Sequence, residues 1–282
     1  MQTLAAPGQA AIALVRASHA PPTFAVTGVV AALAVGSGHD APGAVLVVLA
    51  VLTGQLSIGW CNDLVDHRRD AATGRRDKPL VSGAVGRRTV VRAAGGALAL
   101  CVLLSFANGR VAGPVHLAAV AAAWTYNLGV KRTVLSWLPY AVGFGLLPAF
   151  VTLALPGRPW PPLWAVAAGA LLGTGAHAAN VLPDIEDDLG TGVRGLPQRL
   201  GPLGARTLAA ATLATASAVL VLGPPGPVGV TGWAGLLVTG ALAFAVVLPP
   251  RSGPDSRLPF HAALGLAALD VALLLARGVA LA

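Results

Sequence analysis

Long apolar stretches alternate with short polar segments along almost the whole chain. Nine of these stretches approach or reach the length of a membrane span, and they cover residues 22–38, 42–61, 88–107, 111–129, 136–155, 162–182, 204–223, 228–249 and 259–281. A helix needs roughly 20 mostly apolar residues to cross a bilayer. The pattern therefore predicts an all-α polytopic membrane protein with nine transmembrane helices.

The composition supports this interpretation. Hydrophobic residues make up 55% of the 282 residues, charged residues only 11%, and the mean hydropathy is +0.74. Soluble domains contain about 25% charged residues. Residues 1–20 form a predicted short cytoplasmic leader without a clear cleavage site. No long polar linker divides 21–282, so we expect a single membrane domain there.

The basic residues are distributed unevenly across the predicted topology. The chain has 19 Lys and Arg against 11 Asp and Glu, and its pI is near 11.0. If the nine stretches cross the membrane, only Arg110, Arg158 and Arg277 lie opposite the other basic residues. Cytoplasmic loops carry the excess of Lys and Arg, which predicts insertion in the cytoplasmic membrane with both long polar loops, 62–87 and 183–203, on the cytoplasmic side. Because this charge faces anionic lipid, we expect no nucleic-acid partner.

Most of the acidic residues are concentrated in these two loops. They are Asp63, Asp66, Asp70 and Asp77 in the first loop, and Asp184, Glu186, Asp187 and Asp188 in the second. Asn62, Asp66 and Asp70 are four residues apart, and Asn180, Asp184 and Asp188 repeat this spacing. On continuing helices, residues four apart share one face. Each loop therefore begins with a predicted row of oxygen ligands at the end of a span.

Such rows indicate a bound cation. Two carboxylates about 5 Å apart repel by roughly 3 kcal/mol at an effective dielectric near 20. Oxygen ligands suit Mg²⁺, which commonly takes few carboxylates and completes its shell with water and phosphate oxygens. Lys and Arg follow each row and suit an anionic ligand, so the pattern favours a magnesium–diphosphate site. The alternative is that these are solvated loop charges paired with arginines.

These segments resemble the UbiA-type superfamily of intramembrane prenyltransferases. "NDLVDHRRD" (62–70) fits the family pattern N-D-x-x-D-x-x-x-D, and "RRDKPLVSG" (75–83) resembles its R-x-x-[KR]-P-x-x-x-G continuation. "YNLGVKR" (126–132) resembles the Tyr–Asn…Lys–Arg segment after the fourth span, and "NVLPDIEDDLGTGVRGLP" (180–197) resembles the second acid motif. The resemblance implies a nine-helix bundle around a central cavity, and transfer of a prenyl chain from a prenyl diphosphate to an aromatic or other lipid-soluble acceptor with Mg²⁺.

The resemblance also implies roles for individual residues. The expected metal ligands, or groups that orient the metal, are Asn62, Asp66, Asp70, Asp184 and Asp188. The expected groups that hold the diphosphate are Arg75, Lys78, Lys131 and Arg194. Tyr126, Asn127 and Asn180 are expected to orient the reacting end of the substrate, while Asp63 and Asp187 are candidates for the proton-abstracting base.

Several alternatives remain open from the sequence. A terpene cyclase on the same scaffold would ionise a prenyl diphosphate without an acceptor, and a cation-coupled transporter would also contain intramembrane acids. Transporter sites lie near the bilayer midplane, whereas these acids follow the spans. His177 is either an acceptor contact or a hydrogen-bonded helix histidine. Asp270, alone in the last span, is an intramembrane acid and so a functional hypothesis.

Overall fold

A computed structural model of the chain describes residues 7–248 and 258–276, and within these ranges its regular structure is entirely helical. We number the α-helices in chain order. They are α1 Pro7–Ala17, α2 Ala20–Gly36, α3 Ala41–Ala72, α4 Arg87–Ala107, α5 Ala112–Leu128, α6 Leu138–Leu153, α7 Leu163–Val181, α8 Ile185–Gly190, α9 Leu196–Leu222, α10 Val230–Val247 and α11 Leu258–Ala276.

Six of the described helical segments are long and apolar enough to cross a membrane. They are Ala41–Ala72, Arg87–Ala107, Leu163–Gly190, Leu196–Leu222, Val230–Val247 and Pro259–Ala276. Helices α1 and α2 meet at an angle of 73° and add a seventh if the bent pair crosses as one span. Helices α5 and α6 have only 17 and 16 residues. The protein is thus an all-α integral membrane protein.

Each of the nine predicted stretches lies on a helix, with two corrected boundaries. Helix α3 continues from the predicted end at 61 to Ala72, and α9 includes residues 196–200 before the predicted start at 204, with a kink at Gly201, where the backbone is not helical (φ 71, ψ 177). The extension of α3 contains no Gly or Pro until Gly74, which takes φ +70 just after the helix. The predicted span ends at 249 and 277–281, and the leader residues 1–6, lie outside the described residues.

The second acid motif departs from the predicted continuous helix. Helix α7 ends at Val181, a 3₁₀ turn covers Leu182–Asp184, and the short helix α8 follows. Pro183 explains the break because it has no N–H to donate within a helix. The four-residue spacing in this motif therefore does not produce one straight row of ligands.

Glycines allow α7 to pack closely against both of its neighbours. A Cβ atom on Gly169 would lie 2.6 Å from the Phe144 carbonyl oxygen in α6, and one on Gly175 would lie 2.5 Å from Leu213 Cγ in α9. Small residues at such positions let membrane helices approach one another. This contact aligns the end of α7 with the loop between α5 and α6 and with the start of α9, where the predicted site residues are found.

Candidate active site

The first acid motif lies on the buried face of α3. Asp63, Asp66 and Asp70 are 2%, 4% and 3% exposed, as expected for residues that share one side of a helix. Asn62, beside them, donates from Nδ2 to Asn127 Oδ1 at 3.0 Å, and Asn127 donates from Nδ2 to the Ile58 carbonyl oxygen at 3.0 Å. The two asparagines predicted to belong to the site therefore join α3 to the end of α5.

Lys131 pairs directly with the middle carboxylate of the first motif. Its Nζ lies 2.5 Å from Asp66 Oδ1, and its side chain is only 5% exposed. Helix α5 ends at Leu128, and a 3₁₀ turn over Val130–Arg132 carries the ammonium back towards α3. Burial lowers the pKa of Lys131 from its usual value, while the Asp66 carboxylate opposes that shift. The predicted diphosphate-binding lysine and a predicted metal ligand thus form one buried ion pair.

Asp63 belongs to a separate ion-pair cluster. Its Oδ1 accepts from Lys78 Nζ at 2.8 Å and lies 3.2 Å from His19 Nε2, while Lys78 Nζ and His19 Nε2 are 3.1 Å apart. His19 stands at the bend between α1 and α2 with φ 55. The other oxygen, Asp63 Oδ2, is buried without a hydrogen-bond partner in the described structure. Lys78 thus binds the acid motif at Asp63, and His19 of the N-terminal segment contacts both residues.

Arg69 connects the two acid motifs. Its guanidinium contacts Asp66 Oδ2 at 3.2 Å, Asp70 Oδ1 at 3.8 Å and Asp188 Oδ1 at 3.5 Å. The other oxygen of Asp188 accepts from Gln198 Nε2 at 2.8 Å, which ties α8 to the start of α9. The first and second motifs, far apart in sequence, therefore both contact Arg69, whose positive side chain lies between them.

The remaining predicted residues of the site are more exposed. Asn180, Asp184 and Asp187 are exposed, as are Arg75 and Arg194. Of these, Arg75 pairs with the exposed Asp77, whose Oδ2 lies 3.7 Å from Arg75 Nη2. The structure thus links Asp188 to the acids of the first motif through Arg69, whereas Asp184 is exposed.

An aromatic cluster lies beside Asn127 and Lys131. The Tyr126 ring meets Tyr140 edge-on at 5.1 Å and His177 at 5.5 Å, while Tyr140 stacks on His177 at 4.7 Å. His177 is fully buried, and its Nε2 lies 3.0 Å from Ser136 Oγ, which accepts from the Leu196 N–H. The direction of the contact between Ser136 and His177 depends on the tautomer of the imidazole ring. His177 is thus a hydrogen-bonded helix histidine that also packs against the predicted Tyr126.

The donors fit Mg²⁺ by their chemistry. Asp66 and Asp70 on one side and Asp184 and Asp188 on the other offer carboxylate oxygens, with Asn62 offering an amide oxygen. Within the described residues, no group of three or more His, Cys, Asp or Glu side chains converges on one point. Mg²⁺ is usually bound through one or two carboxylates plus substrate phosphates and water. Carboxylates from the two motifs, together with the phosphates of a bound substrate, would therefore suit this ion.

Sequence patterns did not indicate every residue that the structure places here. Arg69 was one of several basic residues in the first loop and was not selected from the sequence. Its position three residues after Asp66 does place the two side chains on the same face of a helix. His19, Ser136 and Gln198 reach the site through tertiary contacts with other elements. Nothing in the sequence around these three residues reveals such contacts.

Comparisons with known proteins agree with this geometry. Residues 21–267 match the sequence profile of the UbiA prenyltransferase family. The bacteriochlorophyll synthase 33 kDa chain of Cereibacter sphaeroides is 31% identical over 245 residues, which is 78% of this chain and 76% of that one. The lycopene elongase/hydratase of Halobacterium salinarum is 28% identical over 183 residues, which is 60% of this chain and 62% of that one.

A solved structure shares the fold. A UbiA homologue from Archaeoglobus fulgidus, bound to GPP and Mg²⁺, superposes with a TM-score of 0.67 at 18% identity, over 95% of this chain and 100% of that chain. The profile match covers both acid motifs and most of the membrane helices, so the resemblance noted from the motifs is confirmed. The chain is a member of the UbiA prenyltransferase family and an enzyme of the prenyltransferase class.

Proposed function

We propose that this protein transfers a prenyl chain from a prenyl diphosphate to an aromatic or quinone-precursor acceptor inside the membrane, with Mg²⁺ as cofactor. The observation that carries the proposal is that acids of both motifs, Asp66, Asp70 and Asp188, contact the guanidinium of one residue, Arg69, while Lys131 is buried against Asp66. Acids from two motifs with an adjacent buried ammonium are the groups that a diphosphate and its metal require. A cation-coupled transporter has no such support, because the family match is to prenyltransferases.

The polar end of the site would hold the diphosphate. Asn62, Asp66, Asp70, Asp184 and Asp188 would hold Mg²⁺. When bound, Mg²⁺ supplies charge neutralisation for the leaving diphosphate. The chain itself would contribute Lys131 and Lys78, together with the exposed Arg75 and Arg194. Positive groups fixed next to the departing oxygens stabilise the charge that develops as the C–O bond of the prenyl diphosphate breaks.

The apolar end of the site would hold the prenyl chain and the acceptor. Tyr126 and Tyr140 are half-buried; Tyr140 stacks on His177, and Tyr126 meets His177 edge-on. Their rings suit a flat acceptor and an allylic carbon that carries positive charge. We place this end in a central cavity among nine transmembrane helices, in which α2, α5 and α6 cross in addition to the six longer segments. Such a cavity keeps water from the reacting carbon.

The transfer ends with proton removal from the acceptor. The acceptor carbon forms a bond to the allylic carbon, the diphosphate leaves with the electron pair of the broken C–O bond, and the acceptor ring releases one proton. Asp63 has a buried oxygen without a hydrogen-bond partner and is the better placed of the two candidate bases, because Asp187 is exposed. Asn127 and Asn180 would orient the substrate near this point.

The proposed topology places the active site on the cytoplasmic side of the cytoplasmic membrane. Both acid motifs, Lys131 and most basic residues follow helices that end on this side under the positive-inside rule. The domain would extend over 21–282, and the leader 1–20 would lie in the cytoplasm, where its helix α1 packs on α3 through the Trp60 Nε1–H bond to the Leu14 carbonyl oxygen at 2.9 Å.

The test uses purified full-length protein in lipid vesicles with Mg²⁺ and labelled prenyl diphosphates of several lengths, with and without an aromatic acceptor. We expect acceptor-dependent diphosphate release that stops with EDTA. Asp66→Ala and Asp184→Ala should each lower turnover at least 100-fold, whereas the exposed Asp77→Ala should remain near wild type. Diphosphate release that yields a cyclic hydrocarbon without acceptor would instead identify a cyclase, and wild-type-like activity in either acid variant would refute the proposed site.

A further inference from the structure

We infer that Arg69 is a built-in counter-ion for the acid motifs, which must be displaced before metal and diphosphate bind. This inference rests on the proposed function. The family pattern N-D-x-x-D-x-x-x-D does not specify the residue at position 69, where this chain has an arginine. Its guanidinium occupies the place where the two motifs meet.

The contacts of Arg69 link two separate helices. Nη2 lies 3.2 Å from Asp66 Oδ2 and Nη1 lies 3.5 Å from Asp188 Oδ1, while Nε is 3.8 Å from Asp70 Oδ1. The side chain is 23% exposed, so it can turn away from the acids without leaving a closed core. Its role is therefore to hold α3 and α8 together through charge rather than through apolar packing.

The charges explain why the acids tolerate one another without metal. Asp66 and Asp70 are almost fully buried, and Asp188 faces them across Arg69. Like charges in such a site disfavour ionisation unless cations are present. Lys131 supplies one positive charge at Asp66, and Arg69 supplies a second that all three carboxylates share. Neutralisation by the chain itself thus replaces, in the free protein, what a metal would provide.

The same contacts create competition. The carboxylate oxygens that Arg69 holds belong to residues proposed to bind Mg²⁺, and a divalent cation next to a guanidinium is repelled by it. A diphosphate changes this balance, because the guanidinium suits phosphate oxygens as well as carboxylates. Arg69 can then leave the acids for the diphosphate as the metal arrives. Metal and diphosphate should therefore bind together, each strengthening the other.

The first experiment measures Mn²⁺ binding to purified full-length protein without diphosphate, with free Mn²⁺ counted by electron paramagnetic resonance. We expect weak binding in the wild type and at least tenfold tighter binding in Arg69→Met, which keeps the length of the side chain and removes the charge. The matched control is Arg68→Met, because Arg68 is exposed and lines a groove with His67 and Arg87 on another face of α3. This control should bind Mn²⁺ within twofold of the wild type.

The second experiment needs no variant, which protects the test if Arg69→Met folds poorly. The thermal midpoint of the wild type is measured with Mg²⁺ alone, inorganic pyrophosphate alone, and both. We expect a shift with both that clearly exceeds the sum of the separate shifts.

Two results would overturn the inference. One is an Arg69→Met variant that is folded and binds Mn²⁺ no tighter than the wild type. The other is a wild type that Mg²⁺ alone stabilises as much as the combination does. A measurement of Mn²⁺ binding in the presence of pyrophosphate distinguishes failure of this inference from failure of the proposed function. If the wild type binds both and the Asp66→Ala control does not, the metal site stands even where the role of Arg69 fails; if no form binds Mn²⁺, both fail together.

Discussion

Replacement of Lys131 by Met separates the structural and chemical consequences of one buried ion pair. The ammonium lies 2.5 Å from Asp66 Oδ1, and both side chains are about 5% exposed. At this distance the attraction amounts to about 7 kcal/mol at an effective dielectric of 20, and the desolvation of both charges opposes it. Removal of one partner from a buried pair typically destabilises a protein by about 3–5 kcal/mol. We expect a free-energy loss in this range for Lys131→Met.

The double variant provides the sharper measurement. In Lys131→Met with Asp66→Asn neither side chain is charged, so most of the lost free energy of unfolding should return. Turnover should not return, because the ammonium proposed to hold the diphosphate and one carboxylate proposed to hold Mg²⁺ would both still be missing. The assays are thermal unfolding in detergent and diphosphate release in vesicles, with the exposed neighbour variant Arg132→Met as control. A single variant as stable as the wild type, or a double variant less stable than Lys131→Met, would refute this account of the pair.

Three further predictions concern the helix contacts. Gly169→Ala should destabilise the protein by about 1–3 kcal/mol because its Cβ would meet a carbonyl oxygen of α6. The control Gly143→Ala, whose Cβ would have no atom within 4 Å, should leave the stability unchanged. Equal thermal midpoints of the two variants would contradict this prediction. Ser217→Ala should cost about 1–3 kcal/mol because it leaves the buried Asp270 carboxyl group without its hydrogen-bond donor. Asp270→Leu should unfold no earlier than the wild type, and an earlier thermal midpoint would assign Asp270 a structural role.

The sequence predicted the first motif because a single rule governs it. Residues spaced by four on an uninterrupted helix share a face, and the stretch from Asn62 to Asp70 contains no residue that breaks a helix. The same rule was wrong for the second motif, since a 3₁₀ turn over Leu182–Asp184, which contains Pro183, interrupts the α-helix within the motif. The two motifs have the same residue spacing, but their backbone conformations differ.

The number of transmembrane helices was also difficult to predict from local sequence patterns. Hydropathy located every stretch on a helix, but the described helices α5 and α6 are too short to be assigned as spans by length and composition. Contacts such as His19 with Asp63, or Gln198 with Asp188, depend on how distant helices pack. Periodicity describes one element at a time, so it does not reveal which polar residues from separate elements meet.

The packing of helix α1 has a consequence for biosynthesis. Its partners are Trp60, which donates to the Leu14 carbonyl oxygen, and the loop after α3, where the Asp77 carbonyl oxygen accepts from Arg16. During translation α1 therefore leaves the ribosome well before these partners exist, and it has to wait at the membrane surface until α3 has been inserted. Ribosomes paused just after residue 60 should hold nascent chains whose first helix is still open to protease, while pauses well beyond residue 80 should yield protected ones.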